Sequence, residues 1–338
     1  MDPITQGVFG ASLPQSLEHQ RRYQKAAFAI GFLSGMAPDL DVFIRSSSDP
    51  LLALDFHRHF THSLAFIPLG ALICASVFYF LFKKKLSFKR VYLYAFLGYA
   101  THALLDGCTS YGTRLLWPFS DVRLSWNNVS VVDPLITLPM LALVVLGYFR
   151  SNGNFAKLAL VYGLSYLLLG VVQRDRAEEI ATELALSRGH TPLRMTAKPS
   201  FGNIVLWKTI YEYDGHYYVD AVKIGLEQQL IPGTSVKKLD IATDLPWLDA
   251  LNKNHQTTEN QQAIDLERFR VFSDDYLAVL PDQPNYVIDI RYSFLPNSVD
   301  PLWGIRMKPH APNEHVDYDT TRDLNPGYRK EFFSMLFD

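Results

Sequence analysis

The longest gap in the charge pattern covers residues 63–82 (SLAFIPLGALICASVFYFLF), with no ionisable group apart from the thiol of Cys74. As a helix rising about 1.5 Å per residue it reaches roughly 30 Å, the thickness of a bilayer core. Shorter uncharged runs of helical length cover residues 26–38, 91–105, 134–149 and 158–173. Residues 3–17 form a sixth, more polar candidate in which Pro14 is expected to end or kink the helix. A large soluble helical core would also produce the shorter runs, so the distribution of basic residues has to decide. If the runs alternate in direction, loops 18–25, 83–90 and 150–157 fall on one side, carrying Arg21, Arg22, Lys25, Lys83, Lys84, Lys85, Lys89, Arg90, Arg150 and Lys157. The other side receives Arg45, Arg58, Arg114, Arg123 and Arg174. The positive-inside rule makes the KKKLSFKR turn cytoplasmic and, with six passes, places both termini outside. Met1–Leu17 opens on Asp2 instead of a basic stretch, so no cleavable signal peptide is expected.

Beyond residue 175 the pattern changes. Residues 177–187 (AEEIATELALS) read as a short amphipathic helix, after which β-branched and aromatic residues dominate. Residues 203–213, the pair Asp214-Gly215 and residues 216–223 carry a hairpin signal. Further strands are expected at 269–279, 286–295 and 303–307, and a loop-rich tail at 309–328. The expected architecture is therefore an α-helical multi-pass membrane bundle of about five to six helices over residues 1–175. A soluble α+β domain, mainly antiparallel β, follows over residues 176–338 on the extracytoplasmic side.

The composition conceals this division. The whole chain of 338 residues has net charge −2, 48% hydrophobic residues and a mean hydropathy of +0.01, which excludes a disordered chain and gives no reason to expect nucleic acid. Counted separately, residues 1–175 hold 15 basic and 10 acidic side chains, and residues 176–338 hold 17 and 24. Cys74 lies within a span and Cys108 in a loop, so the cysteines report no redox compartment.

The histidines matter by placement. His57, His59 and His62 lie in HRHFTH, just before the longest run, and His102 and Asp106 stand at i and i+4, on one face of a helix. Asp39 and Asp41 (PDLD) close the 26–38 run. In the alternating topology Asp39, Asp41, His57, His62, His102 and Asp106 come to the same extracytoplasmic end from three segments. Imidazole and carboxylate together suit Zn²⁺, Mn²⁺ or Fe, and more than four such groups allow one or two ions. The set has no thiolate, which favours an open catalytic site over a closed structural zinc site. Asp39 and Asp41 are the candidates for a further ligand or a general base. His59 is left outside the metal set. Thr61 and Thr101 each precede a candidate histidine and are positioned to orient it, and Arg58 or Arg114 is a candidate for holding an anionic group.

MDPITQGVFG, GMAPDLD, HRHFTHSL and GYATHALLDGCTSYGTRLLWPFS resemble the signature blocks of the bacterial inner-membrane metal-dependent hydrolases of the YdjM/YbcI type, over roughly residues 1–170. The resemblance implies a helical inner-membrane protein with a metal centre. Block by block it carries over Asp39, Asp41, His57, His62, His102 and Asp106, whereas His59 stands where the family block often has another residue. Many members have a histidine in the first block where this chain has Thr5-Gln6. The use of His and Asp from several helices is also distantly similar to the zinc phospholipase C and P1 nuclease group, which points towards phosphoesters. Nothing beyond residue 175 shares in the resemblance.

The expectation is a membrane-bound hydrolase in which a divalent metal, zinc first, activates water against a phosphoester or acyl bond. At bilayer depth its substrate is expected to be a lipid or lipid-linked molecule. Two other classes remain: a metal-binding or metal-transporting membrane protein, and an extracytoplasmic binding module on a membrane anchor. For the module, the histidines His190, His216, His255, His310 and His315 are dispersed and show no catalytic spacing.

Overall fold

The computed structural model describes residues 1–225, 227–253, 260–320 and 326–338, so His255 lies outside the described residues. The chain divides into two compact units: Met1–Phe43, Phe56–Arg174 and Phe201–Ile204 in one, and Ile44–Asp55, Asp175–Ser200 and Val205–Asp338 in the other.

The first unit is helical. Helix α1 (Pro3–Leu17) starts on the Asp2 carboxylate, which accepts from the amides of Ile4 and Thr5, with Pro3 in the first turn. It runs through Pro14 without ending there. The carbonyl of Gly10, which Pro14 cannot reach with an amide, lies instead against Gly31 of helix α2 (Gln24–Met36). A single turn, Ala37–Phe43, continues α2 and carries PDLD. After α3 (Leu52–Phe56) come α4 (Ile67–Phe82), α5 (Phe88–Gly107), α6 (Pro134–Arg150) and α7 (Asn154–Ser187). The interior between α2, α4 and α5 is rich in small residues, Ala27, Ala71, Ala75 and Ala95, packed with Ile30, Ile67, Leu86, Val91, Tyr94 and Tyr99. Leucines and phenylalanines face outward instead: Phe80, Leu81 and Leu168 are 73%, 75% and 67% exposed. Small inside and large apolar outside is the pattern of helices whose solvent is lipid. Three helical stretches, Arg21–Phe43, Leu64–Phe82 and Asn154–Ser187, are long and apolar enough to cross a membrane, and Pro134–Arg150 is a shorter apolar helix.

The stretch 177–187 is no separate helix: it is the end of α7. Charged residues such as those in QRDRAEE are good helix formers and do not break the turn pattern.

In the second unit, strands β1 (Arg194–Pro199), β2 (Leu206–Tyr213), β3 (His216–Ile224) and β4 (Gln228–Lys237) form an antiparallel sheet in that order. The β2–β3 hairpin turns on Asp214 and Gly215, whose φ values of 47° and 69° are the left-handed pair a two-residue turn requires. Helices α8 (Ile241–Asp244), α9 (Pro246–Lys253) and α10 (Gln261–Phe272) lead to a second antiparallel sheet. It comprises β5 (Leu277–Val279), β6 (Tyr286–Asp289), β7 (Gly304–Arg306) and β8 (Asp317–Asp319), and helix α11 (Pro326–Phe337) ends the chain. Ile210, Tyr217, Val219, Tyr276, Tyr286 and Ile288 join both sheets in one core. The strand expected over 269–279 is helix up to Phe272. Gln262, Asp265, Leu266, Phe269 and Phe272 are buried at helical spacing, and Asn260 caps the first turn. The tail also carries β8 and the start of α11; of it, residues 321–325 lie outside the described residues.

Candidate metal centre

Close helix packing sets the positions of the donors. A Cβ on Gly35 would come within 2.7 Å of the Gln6 carbonyl oxygen and 2.9 Å of Gly10 Cα, and one on Gly98 within 2.8 Å of Gly31 Cα. Backbones of α1, α2 and α5 therefore touch where their ends deliver Gln6, the PDLD turn, His102 and Asp106. The remaining histidines come from the irregular segment before α4, where His62 lies in the short turn Phe60–His62.

Two groups of donors result, sharing Asp39: Asp39, His62, His102 and Asp106 in one, Asp39, Asp41 and His57 in the other, with the donor atoms of each group within 4.8 Å of one another. In the first, Nε2 of His62 and Nε2 of His102 are 2.8 Å apart. Asp39 Oδ1 is 3.4 Å from each nitrogen, and Asp106 Oδ2 is 3.2 Å from that of His62 and 3.7 Å from that of His102.

The partners on the far side of each ring fix the tautomers. Nδ1 of His102 lies 2.6 Å from the carbonyl oxygen of Gly35, which can only accept, so Nδ1 donates. The Thr61 hydroxyl donates to Asp41 Oδ2 at 2.9 Å, so its oxygen accepts from Nδ1 of His62 at 3.0 Å. In the neutral form that metal ligation requires, both rings turn unprotonated Nε2 atoms towards each other and towards two carboxylate oxygens. Asp106 Oδ2 is buried and accepts no hydrogen bond, although Arg58 Nε lies 3.0 Å away as an ionic neighbour. Four donor atoms converging on one point, one of them a buried carboxylate oxygen whose neighbours are ionic, form a group that could hold a divalent cation.

The six residues expected from the sequence all lie in this cluster, with different surroundings. His62, His102 and Asp106 are buried, while Asp39 and His57 keep side-chain exposures of 16% and 22% and form the open edge. Asp41 stands behind the imidazoles: it meets His57 Nδ1 at 2.8 Å and accepts from the Arg58 amide at 3.0 Å and from Thr61. That is the place of a carboxylate that orients histidine ligands. His59 lies outside both groups, against the rings of Phe56, Phe60 and Trp117. Thr61 links His62 to Asp41, whereas Thr101 bonds back to the Gly98 carbonyl within its own helix. Arg58, held at φ 61°, turns inward onto Asp106 and the Thr109 hydroxyl, and Arg114 approaches Asp121 at 3.9 Å. Gln6 donates to Asp106 Oδ1 at 2.7 Å, and the Met1 amino group also meets that oxygen. Gly35 and Thr109 lie within the quoted blocks, but the contacts of the Gly35 carbonyl with His102 and of Thr109 with Arg58 are seen only in three dimensions.

A helical unit with candidate membrane-spanning helices and a His/Asp cluster that could hold a metal ion is thus the class that fold and site define. The chain belongs to the YdjM inner membrane protein family, which matches residues 1–177. It is 26% identical over 160 residues to the uncharacterized protein YfhP of Bacillus subtilis (strain 168), a match covering 47% of this chain. It spans about half the length of that curated relative, 48%. No solved structure matches.

Proposed function

We propose that this protein is a membrane-bound, metal-dependent hydrolase acting on a phosphoester or, less favoured, an acyl bond of a lipid or lipid-linked substrate. The observation that carries the reading is the convergence of His62 Nε2, His102 Nε2, Asp39 Oδ1 and Asp106 Oδ2 on one point. These residues would hold a divalent ion, zinc before manganese or iron, with His57, Asp41 and Asp39 offering room for a second. When bound, the ion supplies Lewis acidity towards a water and a phosphoryl or acyl oxygen. The chain's own contribution is positional. Gly35 and the Thr61–Asp41 pair hold the imidazoles in the ligating tautomer, Gln6 and Arg58 neutralise and fix Asp106, and Asp39 at the open edge is placed to take a proton from an incoming water. In this reading α1, α5 and α6 complete a bundle of five to six passes in the cytoplasmic membrane. The basic α4–α5 turn lies inside, and the site and the C-terminal domain face the extracytoplasmic side.

The test is hydrolysis of short-chain phosphatidic acid, a bis-p-nitrophenyl phosphate surrogate and p-nitrophenyl esters by detergent-purified protein, before and after chelation and zinc repletion. Zinc-dependent turnover that is lost on chelation, returns with zinc and falls at least a hundredfold in Asp39→Asn supports the reading. Turnover equal in wild type and Asp39→Asn would refute it.

A further inference from the structure

Lys198 of β1 and Lys208 of β2 are direct partners across the antiparallel ladder, so their side chains leave the same face of the sheet side by side. Each is only 5% exposed. Like charges opposite one another in a sheet repel, and burial removes the water that would otherwise screen them. Counter-charge within the chain does not answer this. Arg291 takes the nearby Asp289 for itself, with Nε and Nη2 2.7–3.2 Å from the carboxylate oxygens, and Trp303 Nε1 donates to the same group at 3.2 Å. Among the described residues no carboxylate oxygen comes within 4.0 Å of either lysine nitrogen; Asp274 and Asp300 act only from a distance.

The two lysines differ in what they touch. Lys208 Nζ donates to Ser293 Oγ and to the Ser298 carbonyl, each at 2.7 Å. Lys198 Nζ stands 4.8 Å from the centre of the Tyr292 ring and donates no hydrogen bond to the described residues. Burial pushes both ammonium groups down, Lys208 to about 7 and Lys198 well below the usual lysine range. Near neutral pH Lys208 is therefore balanced between losing its proton and acquiring an anion. An ammonium facing an aromatic ring gains from its charge, which an amine would forgo. Lys198 also lies next to the end of the edge strand.

We propose that Lys198 and Lys208, backed by the Ser293 hydroxyl, form a binding site for a phosphate group, carried by free phosphate or by a phospholipid headgroup. The group would sit between the two nitrogens, take the donors that Lys198 leaves unused, and supply the missing negative charge. This site is independent of the metal centre and stands or falls separately from it.

Isothermal titration of the full-length protein in detergent separates the sources, with inorganic phosphate in one arm, short-chain phosphatidic acid in another, and chloride at matched ionic strength as baseline. Saturable binding in either arm that weakens at least tenfold in Lys198→Met supports the site and identifies its source. It should also weaken as pH rises through about 7, because Lys208 then loses its charge in the field of Lys198, Arg291, Asp289, Asp274 and Asp300. Lys198 donates no bond to a described residue, so Lys198→Met should melt in chloride no lower than wild type, and a loss of binding cannot then be ascribed to unfolding. Absence of saturable binding in both arms, or equal binding by wild type and Lys198→Met, would overturn the proposal.

Discussion

Two imidazoles whose Nε2 atoms stand 2.8 Å apart are held there by groups that never touch the shared point. The Gly35 carbonyl faces the far side of the His102 ring, and the Thr61 hydroxyl that of His62, where Asp41 both accepts from Thr61 and lies 3.2 Å from His62 Nδ1. Thr61→Val should therefore lower metal affinity about 10- to 100-fold although no donor is removed, and Thr61→Ser should restore most of it. Competition with a fluorescent zinc chelator measures this, and unchanged affinity in Thr61→Val would show that Thr61 does not set the tautomer. The motif blocks lead to the donor residues because few ionisable groups interrupt the apolar half, so each one stands out. They hide the division of labour. Asp39 and Asp41 are equivalent in PDLD, and only the turn Ala37–Phe43 aims one at the histidine nitrogens and sets the other behind them. A backbone carbonyl such as that of Gly35 leaves no trace in a sequence at all.

At the scale of elements, the donors are positioned by backbone contact between helices. Gly35 sits where α2 meets α1, and its own carbonyl orients His102. Gly35→Ala would force a methyl group against the Gln6 carbonyl, with an expected cost of about 1–3 kcal/mol. It should also reduce bound metal severalfold, while Leu72→Ala on the outward face of α4 should leave metal content unchanged. Metal content of the two purified variants, alongside their melting temperatures, checks the contrast; equal loss in both would mean that helix approach does not govern the site. Elements are legible in the sequence where local geometry allows one solution, as in the Asp214-Gly215 hairpin, whose left-handed turn few other residue pairs accept. They are obscured where apolar residues cluster without a clean period. Phe269 and Phe272 look like strand residues in an aromatic stretch, yet their spacing of three buries both on one face of α10. The charges after residue 173 likewise mark the end of an apolar run without ending the helix.

Taken whole, the molecule joins a helical unit whose large apolar residues face outward to a unit whose large apolar residues face inward, an inversion that the near-zero mean hydropathy averages away. Asp133 at the start of α6 apart, the buried carboxylates and histidines of the helical unit gather at one cluster, and burial in such surroundings needs a compensating partner. In the proposed function that partner is a divalent ion held by His62, His102, Asp39 and Asp106. Metal analysis of detergent-purified wild type beside His62→Ala and His102→Ala tests it most directly. The expected result is close to one equivalent or more of a divalent metal in the wild type and loss of at least most of one equivalent in each variant. Equal metal in all three proteins would contradict it.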